Sequence, residues 1–375
     1  MKELKIFLAD RFEFRVNLLR QQTEWRRKAD AGQPATSFRP LDEMALNTIY
    51  IDALSADIDC TYKQLKCLLF SGHQPSYHPV YDYMAGLPQW DGRDRIAGLA
   101  HRVSRSEEWT MVFHRWMLAL AAQWMGRPMQ AANSMVPVLV SERQGLRKST
   151  FCRMLVPPEL GSYYLDRLDF TQAGEYDRMM AQFCLINLDE MDSYTPRAMA
   201  KFKAATQMQQ IMGHSTRTTL ITEAPRLASF IATTNQPHLL HDRTGSRRFY
   251  CQRVENAISC APINHAQVYA QLRAELDAGE RTWFTKQEEI RIQQHNAPFY
   301  ALTPIQELVL CHYRPTAPDE TAVPLPSSKI YEYLQARHPR QMHGIRPLDF
   351  GKQLRPLFRS TSRRKDGRHY YAVAV

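Results

Sequence analysis

Apolar residues recur at helical spacing from Glu107 to Met125, where Trp109, Phe113, Trp116, Leu120 and Trp124 share one face. An aromatic stripe of this kind reads as core, and Gly126-Arg127-Pro128 marks where the helix must stop. The pattern then changes. Val136 to Val140, Phe183 to Leu188 and Leu227 to Thr234 are short apolar runs that read as strands, with helical connections between them. Such an alternation predicts a parallel sheet flanked by helices, whose functional residues gather at the carboxyl ends of the strands.

Before this core, helix-like patterns over Lys2 to Lys28, Asp42 to Asp52 and Thr61 to Phe70 predict an N-terminal helical domain, and Pro75, Pro79 and Pro88 punctuate the stretch that follows. The first of these helices would carry Arg11, Arg15, Arg20, Arg26 and Arg27 as a basic face. After the core, Tyr269 to Gly279 reads as a helix, and Thr303 with Pro304 caps and starts another through Val309 to Tyr313. A proline-rich linker follows, then helices at Ser328 to Leu334 and Pro347 to Phe358, then a hairpin turned at Asp366-Gly367. Helices ending in a hairpin predict a winged-helix-like domain. The expected organisation is therefore residues 1–130, 131–300 and 301–375.

Each strand of the core ends in chemistry. Val136 to Val140 runs into a polar turn closing in Lys148-Ser149-Thr150, the outline of a phosphate loop. Such a loop cradles phosphate oxygens with backbone N–H groups, places a Lys on the β- and γ-phosphates, and gives a hydroxyl to Mg²⁺. Gln144, Gly145 and Arg147 lie in the turn, where Gly145 allows close backbone approach. The turn departs from G-x-x-x-x-G-K-[ST] by carrying Glu142 and Arg147 at the glycine positions. Hydrolysis also needs a carboxylate for the metal and a base to orient water. Asp189 suits the first role and Glu190 the second. Asn235, at the end of the third run, either contacts the γ-phosphate or attacking water, or simply turns the chain ahead of Pro237. Beyond it, Asp242 to Phe249 is dense in guanidinium groups. Arg247 and Arg248 there either form salt bridges or stabilise charge on a transferred phosphoryl group, often from a neighbouring subunit. Together these features predict a P-loop NTPase core that binds ATP with Mg²⁺.

Charge sharpens the choice of partner. Among 375 residues, 48 Lys and Arg against 38 Asp and Glu give a formal net charge of +10, which favours an anionic partner such as nucleic acid. Met199 to Arg226 holds Lys201, Lys203, His214, Arg217 and Arg226 against Glu223 alone. Lys352, Arg355, Arg359, Arg363, Arg364, Lys365 and Arg368 crowd the tail, a pattern that suits a phosphate backbone or, alternatively, a docking module. Seven scattered cysteines without a C-x-x-C pair predict a reduced, cytoplasmic protein without a cysteine-built zinc site. The most apolar helix is interrupted by His114, Arg115 and Gln123, so no membrane span is expected.

The order QG-x-x-KSTF, LINLDEMD, Lys201 and Lys203 ahead of Thr216-Arg217, PRLASFIATTN and DRTGSRRFY resembles the virulence-associated protein E family. The segment HPVYDYMAGLPQWDGRDRI resembles the lead-in to that family's domain, so the likeness runs from Pro75 to Val254. These are phage- and mobile-element-associated ATPases, similar to superfamily-three and primase-linked helicases. The resemblance implies that Lys148 and Ser149 bind nucleotide and Mg²⁺, that Asp189 and Glu190 form the Walker B pair, and that Asn235 is a sensor. It further implies that Arg247 or Arg248 acts on a neighbouring subunit, and that Lys203 precedes a loop gripping a nucleic-acid strand. The expected protein is a DNA-dependent ATPase, a helicase-type or replication-associated motor of a phage or mobile element. It would act on single-stranded or duplex DNA as a homo-oligomer, in ring form, beside a separate primase. Two other classes stay open: a nucleotide-binding switch, and a DNA-binding factor whose ATPase core is only an assembly scaffold.

Overall fold

A computed structural model describes residues 1–29, 36–172, 174–214, 221–240, 246–317, 320, 323–361 and 368–375. The chain divides into two compact units, residues 1–236 with 247–289, and residues 237–246 with 290–375.

The first unit begins with α1 (Lys2–Arg11), but the helix expected to reach Lys28 ends there. In its place β1 (Phe12–Asn17) and β2 (Gln22–Arg27) pair antiparallel. The reason lies in a period of two: Phe12, Phe14 and Val16 fall opposite Arg27, Trp25 and Thr23, and Phe12 and Trp25 are buried. Short strands β3 (Arg39–Pro40) and β4 (Ser76–Tyr77) complete a sheet of order β3-β2-β1-β4. Helices α2 (Glu43–Ser55) and α3 (Tyr62–Leu69) supply Leu46, Ile49, Leu65 and Leu69 to the core shared with Phe12 and Trp25. Asp42 caps the first, and Thr61 with Gln64 forms a capping box on the second. The N-terminal region thus combines a sheet with its helices.

Next come α4 (Pro79–Ala85), α5 (Ile96–Ala100) and α6 (Glu107–Trp124). All five aromatic and leucine positions of the α6 stripe are buried, as core. The central sheet follows: β5 (Val136–Val140), α7 (Lys148–Met154), β6 (Tyr164–Asp166), α8 (Glu175–Gln182), β7 (Leu185–Leu188) and α9 (Pro196–Ala205). An antiparallel pair, β8 (Gln210–His214) and β9 (Ile221–Pro225), precedes β10 (Ser229–Thr234), β11 (Phe249–Arg253) and α10 (His265–Asp277). The strands run β11-β5-β10-β7-β6, all parallel. β5, β7 and β10 are buried along their whole length, which is why each reads as a mainly apolar run, with buried Asn187 in β7 and buried Ser229, Thr233 and Thr234 in β10. β6 and β11 are the edges, and their mixed composition hid them from a pattern-based reading.

α11 (Lys286–His295) starts in the first unit's sequence and ends in that of the second. The second unit contains α12 (Pro304–His312), β12 (Tyr313–Pro315), β13 (Leu325–Pro326), α13 (Ser327–Arg337), α14 (Pro347–Leu354), β14 (His369–Tyr370) and β15 (Ala372–Ala374). β12 pairs with β15 and β13 with β14, both antiparallel, around a core that includes Val309, Ile330, Leu334, Phe350, Leu354 and Tyr370. Thr303 and Gln306 form the capping box of α12. The expected turn at Asp366-Gly367 lies outside the described residues. Among the described residues, no helix is long and apolar enough to cross a membrane.

Candidate active site

Because β5, β10 and β7 are neighbours, the loops leaving their carboxyl ends meet. Lys148, the first residue of α7, is buried, and its Nζ donates to Asn235 Oδ1 at 2.8 Å. Burial pushes the Lys148 ammonium below the ordinary lysine range, while Asp189 and Asp192 pull it back up. Ser149 Oγ donates to Asp189 Oδ1 at 2.6 Å, and the Thr233 hydroxyl donates to the same oxygen. One residue on, Thr234 Oγ1 donates to Asp192 Oδ1 at 2.5 Å and accepts from the Gln236 N–H at 3.0 Å. The end of β10 therefore orders Asp189 and Asp192 beyond the β7 end. Thr233 and Asp192 join the cluster only through these bonds, beside the Asn235 and Asp189 that the sequence pattern marks.

The loop from Ser141 to Arg147 is held at both ends. Ser141 Oγ donates to the Arg143 carbonyl at 2.7 Å and accepts from the Arg143 N–H at 3.1 Å. The Ile258 N–H donates to the Leu146 carbonyl at 3.1 Å. Gly145 sits at φ 78°, a left-handed conformation with open space about it. Arg147 adopts φ 62° and ψ 28°, so a residue with a Cβ occupies the backbone state that glycine would take without cost. Glu142 is exposed and outside the positive-φ set, so it carries no such strain. Gln144, Arg147 and Thr150 are exposed along the loop and first turn.

Glu190 follows at φ 51° and ψ 54°, with its carboxylate exposed and 3.9 Å from the Arg167 guanidinium. Nothing in the sequence pattern had pointed to Arg167.

The structure does not bring the arginines into this cluster. Arg247 and Arg248 form the single turn Ser246–Arg248 ahead of β11, and Phe249 stands opposite Val136 in parallel register. They therefore lie at the amino end of the sheet, whereas Lys148, Asp189 and Asn235 lie at the carboxyl end. Four residue steps of strand at about 3.3 Å each separate the two levels. There Arg247 and Arg248 line a separate cavity of about 300 Å³ with Asn133, Gln207 and Trp283.

The basic residues fare unequally. Lys203 is half-buried near the end of α9. Arg226 is buried, contrary to a reading of Met199 to Arg226 as one basic surface. Its guanidinium donates to the carbonyls of Met208, Ala228, Asn133 and Thr206. Lys352 is exposed and pairs with Asp349 at 2.9 Å. Arg217, Arg363, Arg364 and Lys365 lie outside the described residues.

A five-stranded parallel sheet flanked by helices, with Lys-Ser, Asp-Glu and Asn at three adjacent strand ends, defines an α/β protein whose candidate site lies at the carboxyl edge of the sheet. Within that class the chain belongs to the virulence-associated protein E-like family, whose domain matches residues 84–301. No curated protein matches the chain. Among solved structures it is similar to the NrS-1 C-terminal region in three apo structures. One shares 9% identity at a TM-score of 0.45, covering 94% of this chain and 85% of that one. Another shares 9% at 0.44, covering 99% and 98%. A third shares 11% at 0.41, covering 79% of this chain and 66% of that one.

Proposed function

We propose that the protein is a DNA-dependent ATPase, a helicase-type or replication-associated motor of a phage or mobile element, with a P-loop NTPase core. One observation carries the reading. A buried Lys148 bonded to Asn235 and a Ser149 hydroxyl bonded to Asp189 stand side by side at the ends of three adjacent parallel strands. Lys148 is the cation for the β- and γ-phosphates, and the loop N–H groups from Gly145 onward would bind the same phosphates.

The Ser149 hydroxyl and Asp189 carboxylate form an all-oxygen pair that suits a hard cation such as Mg²⁺. Among the described residues no cluster of three or more His, Cys, Asp or Glu could hold a metal alone, so such a cation would need nucleotide oxygens as well. Bound there, Mg²⁺ supplies charge neutralisation to the phosphates. Asn235 orients the γ-phosphate or water, and Glu190 takes the proton of attacking water. Arg247 and Arg248, at the far end of the sheet, serve the site of a neighbouring copy in a homo-oligomer. Lys203 and Arg217 bind a nucleic-acid strand, and Lys352, Arg363, Arg364 and Lys365 on a winged-helix-like domain hold DNA backbone.

The experiment is ATP turnover with and without single-stranded DNA. Wild type should hydrolyse ATP faster with DNA, and Lys148→Ala and Glu190→Gln should lose at least about a hundredfold, the scale on which removing a base or a phosphate-stabilising group acts. Equal, DNA-independent rates in all three proteins would remove the proposal.

A further inference from the structure

A further cavity of about 290 Å³ opens at the amino end of the sheet, and all its walls belong to the first unit. The turn after β1, the start of α4, the end of α6, the end of α8 and the chain ahead of β10 enclose it. The strand-end cluster of Lys148, Asp189 and Asn235 lies elsewhere. The whole of β10 separates the two places, roughly 20 Å of strand.

The floor of the cavity is apolar and fixed. Trp124 is 1% exposed, stacks on Tyr269 with ring centroids 4.9 Å apart, and donates its Nε1–H to the Cys184 carbonyl at 3.1 Å. Leu19, Ala181, Pro225 and Leu227 continue the apolar lining. An apolar cavity of about 150 Å³ accepts a benzene ring, so this one suits two fused rings.

Polar groups on the lining are donors still to be used. His78 Nδ1 accepts the Tyr81 N–H at 3.1 Å, which puts the ring proton of a neutral imidazole on Nε2. Burial holds the His78 imidazole below its ordinary range against the pull of Asp82, so the ring is neutral. Its Nε2–H and the Gln182 amide have no protein partner among the described residues. Arg178 adds a guanidinium that is 45% exposed and only 3.9 Å from Glu175, a loose pairing. Arg226, by contrast, has already spent its donors on four carbonyls.

We propose that this cavity is a ligand site, separate from the strand-end cluster, for a flat two-ring aromatic molecule that carries hydrogen-bond acceptors and an anionic group. The rings lie over Trp124, His78 and Gln182 donate to the acceptors, and Arg178 meets the charge. The inference stands apart from the ATP-hydrolysing reading above.

The test titrates the full chain with 2-naphthoate by calorimetry, with its neutral amide as control. Wild type should bind one 2-naphthoate per chain with Kd below about 1 mM and gain thermal stability as it does. Ala181→Phe and the milder Ala181→Leu, which fill the cavity, should weaken binding at least about tenfold. Arg178→Gln should weaken 2-naphthoate about threefold to fivefold and leave the amide unchanged, while Arg178→Lys stays near wild type. Lys148→Ala should bind 2-naphthoate as wild type does. No binding below about 1 mM, binding that survives both Ala181 variants, indifference to Arg178→Gln, or loss in Lys148→Ala overturns the site and leaves the ATPase proposal standing.

Discussion

Arg147 sits where a phosphate loop ordinarily uses glycine, and it accepts a left-handed backbone to do so. That conformation costs a residue with a Cβ roughly 1–2 kcal/mol. We expect Arg147→Gly to raise stability by about 1 kcal/mol in chemical denaturation and, by removing an exposed guanidinium from the loop, to weaken ATP binding. Tighter ATP binding in the variant would take Arg147 out of the phosphate contacts. At this scale much of the cluster was legible. Lys148, Ser149, Asp189 and Asn235 could be read because each sits at the end of an apolar run and has the residue type the chemistry demands. Thr233 and Arg167 could not, because a threonine in a strand and an arginine after one are commonplace. Only the meeting of their atoms with Asp189 and Glu190 singles them out.

Among elements, long or wholly buried ones announced themselves. The α6 stripe and the apolar runs of β5, β7 and β10 are consequences of burial, and burial leaves a period in the sequence. The β1–β2 hairpin was obscured because arginines spaced along Lys2 to Lys28 imitate a helix face, while the alternating Phe12, Phe14 and Trp25 carry the real period. Arg226 shows the reverse error. It belongs to a basic stretch in sequence, yet it ties the base of the β8–β9 pair to the starts of β10 and β5 through four carbonyls. Arg226→Met should cost about 3 kcal/mol, the scale for leaving a buried polar network half-satisfied. Urea denaturation checks this, and a loss below about 1 kcal/mol would show that water replaces the guanidinium there.

For the whole molecule, the decisive fact is that the phosphate-loop-like turn and the Arg247-Arg248 turn occupy opposite ends of one parallel sheet. A rigid sheet cannot bring them together within one chain, so under the proposed function arginine assistance would come from another copy. Mixing Lys148→Ala with an Arg247→Ala, Arg248→Ala double variant should restore turnover, because some interfaces then pair an intact loop with intact arginines. Mixtures no more active than the sum of their parts would exclude action between copies.

Residue types and hydrophobic period were enough to place a parallel sheet, its phosphate-loop-like turn and its acidic strand end, because local chemistry and burial both write themselves into the chain. They were also enough to order the motifs as in the virulence-associated protein E-like family. Tertiary structure alone decided which strands are neighbours, and with that which side of the sheet each group faces. Strand order places Asn235 on Lys148, sends Glu190 towards Arg167, and sets the arginines at the far end. Such long-range pairing depends on the packing of the whole sheet, which no local pattern encodes.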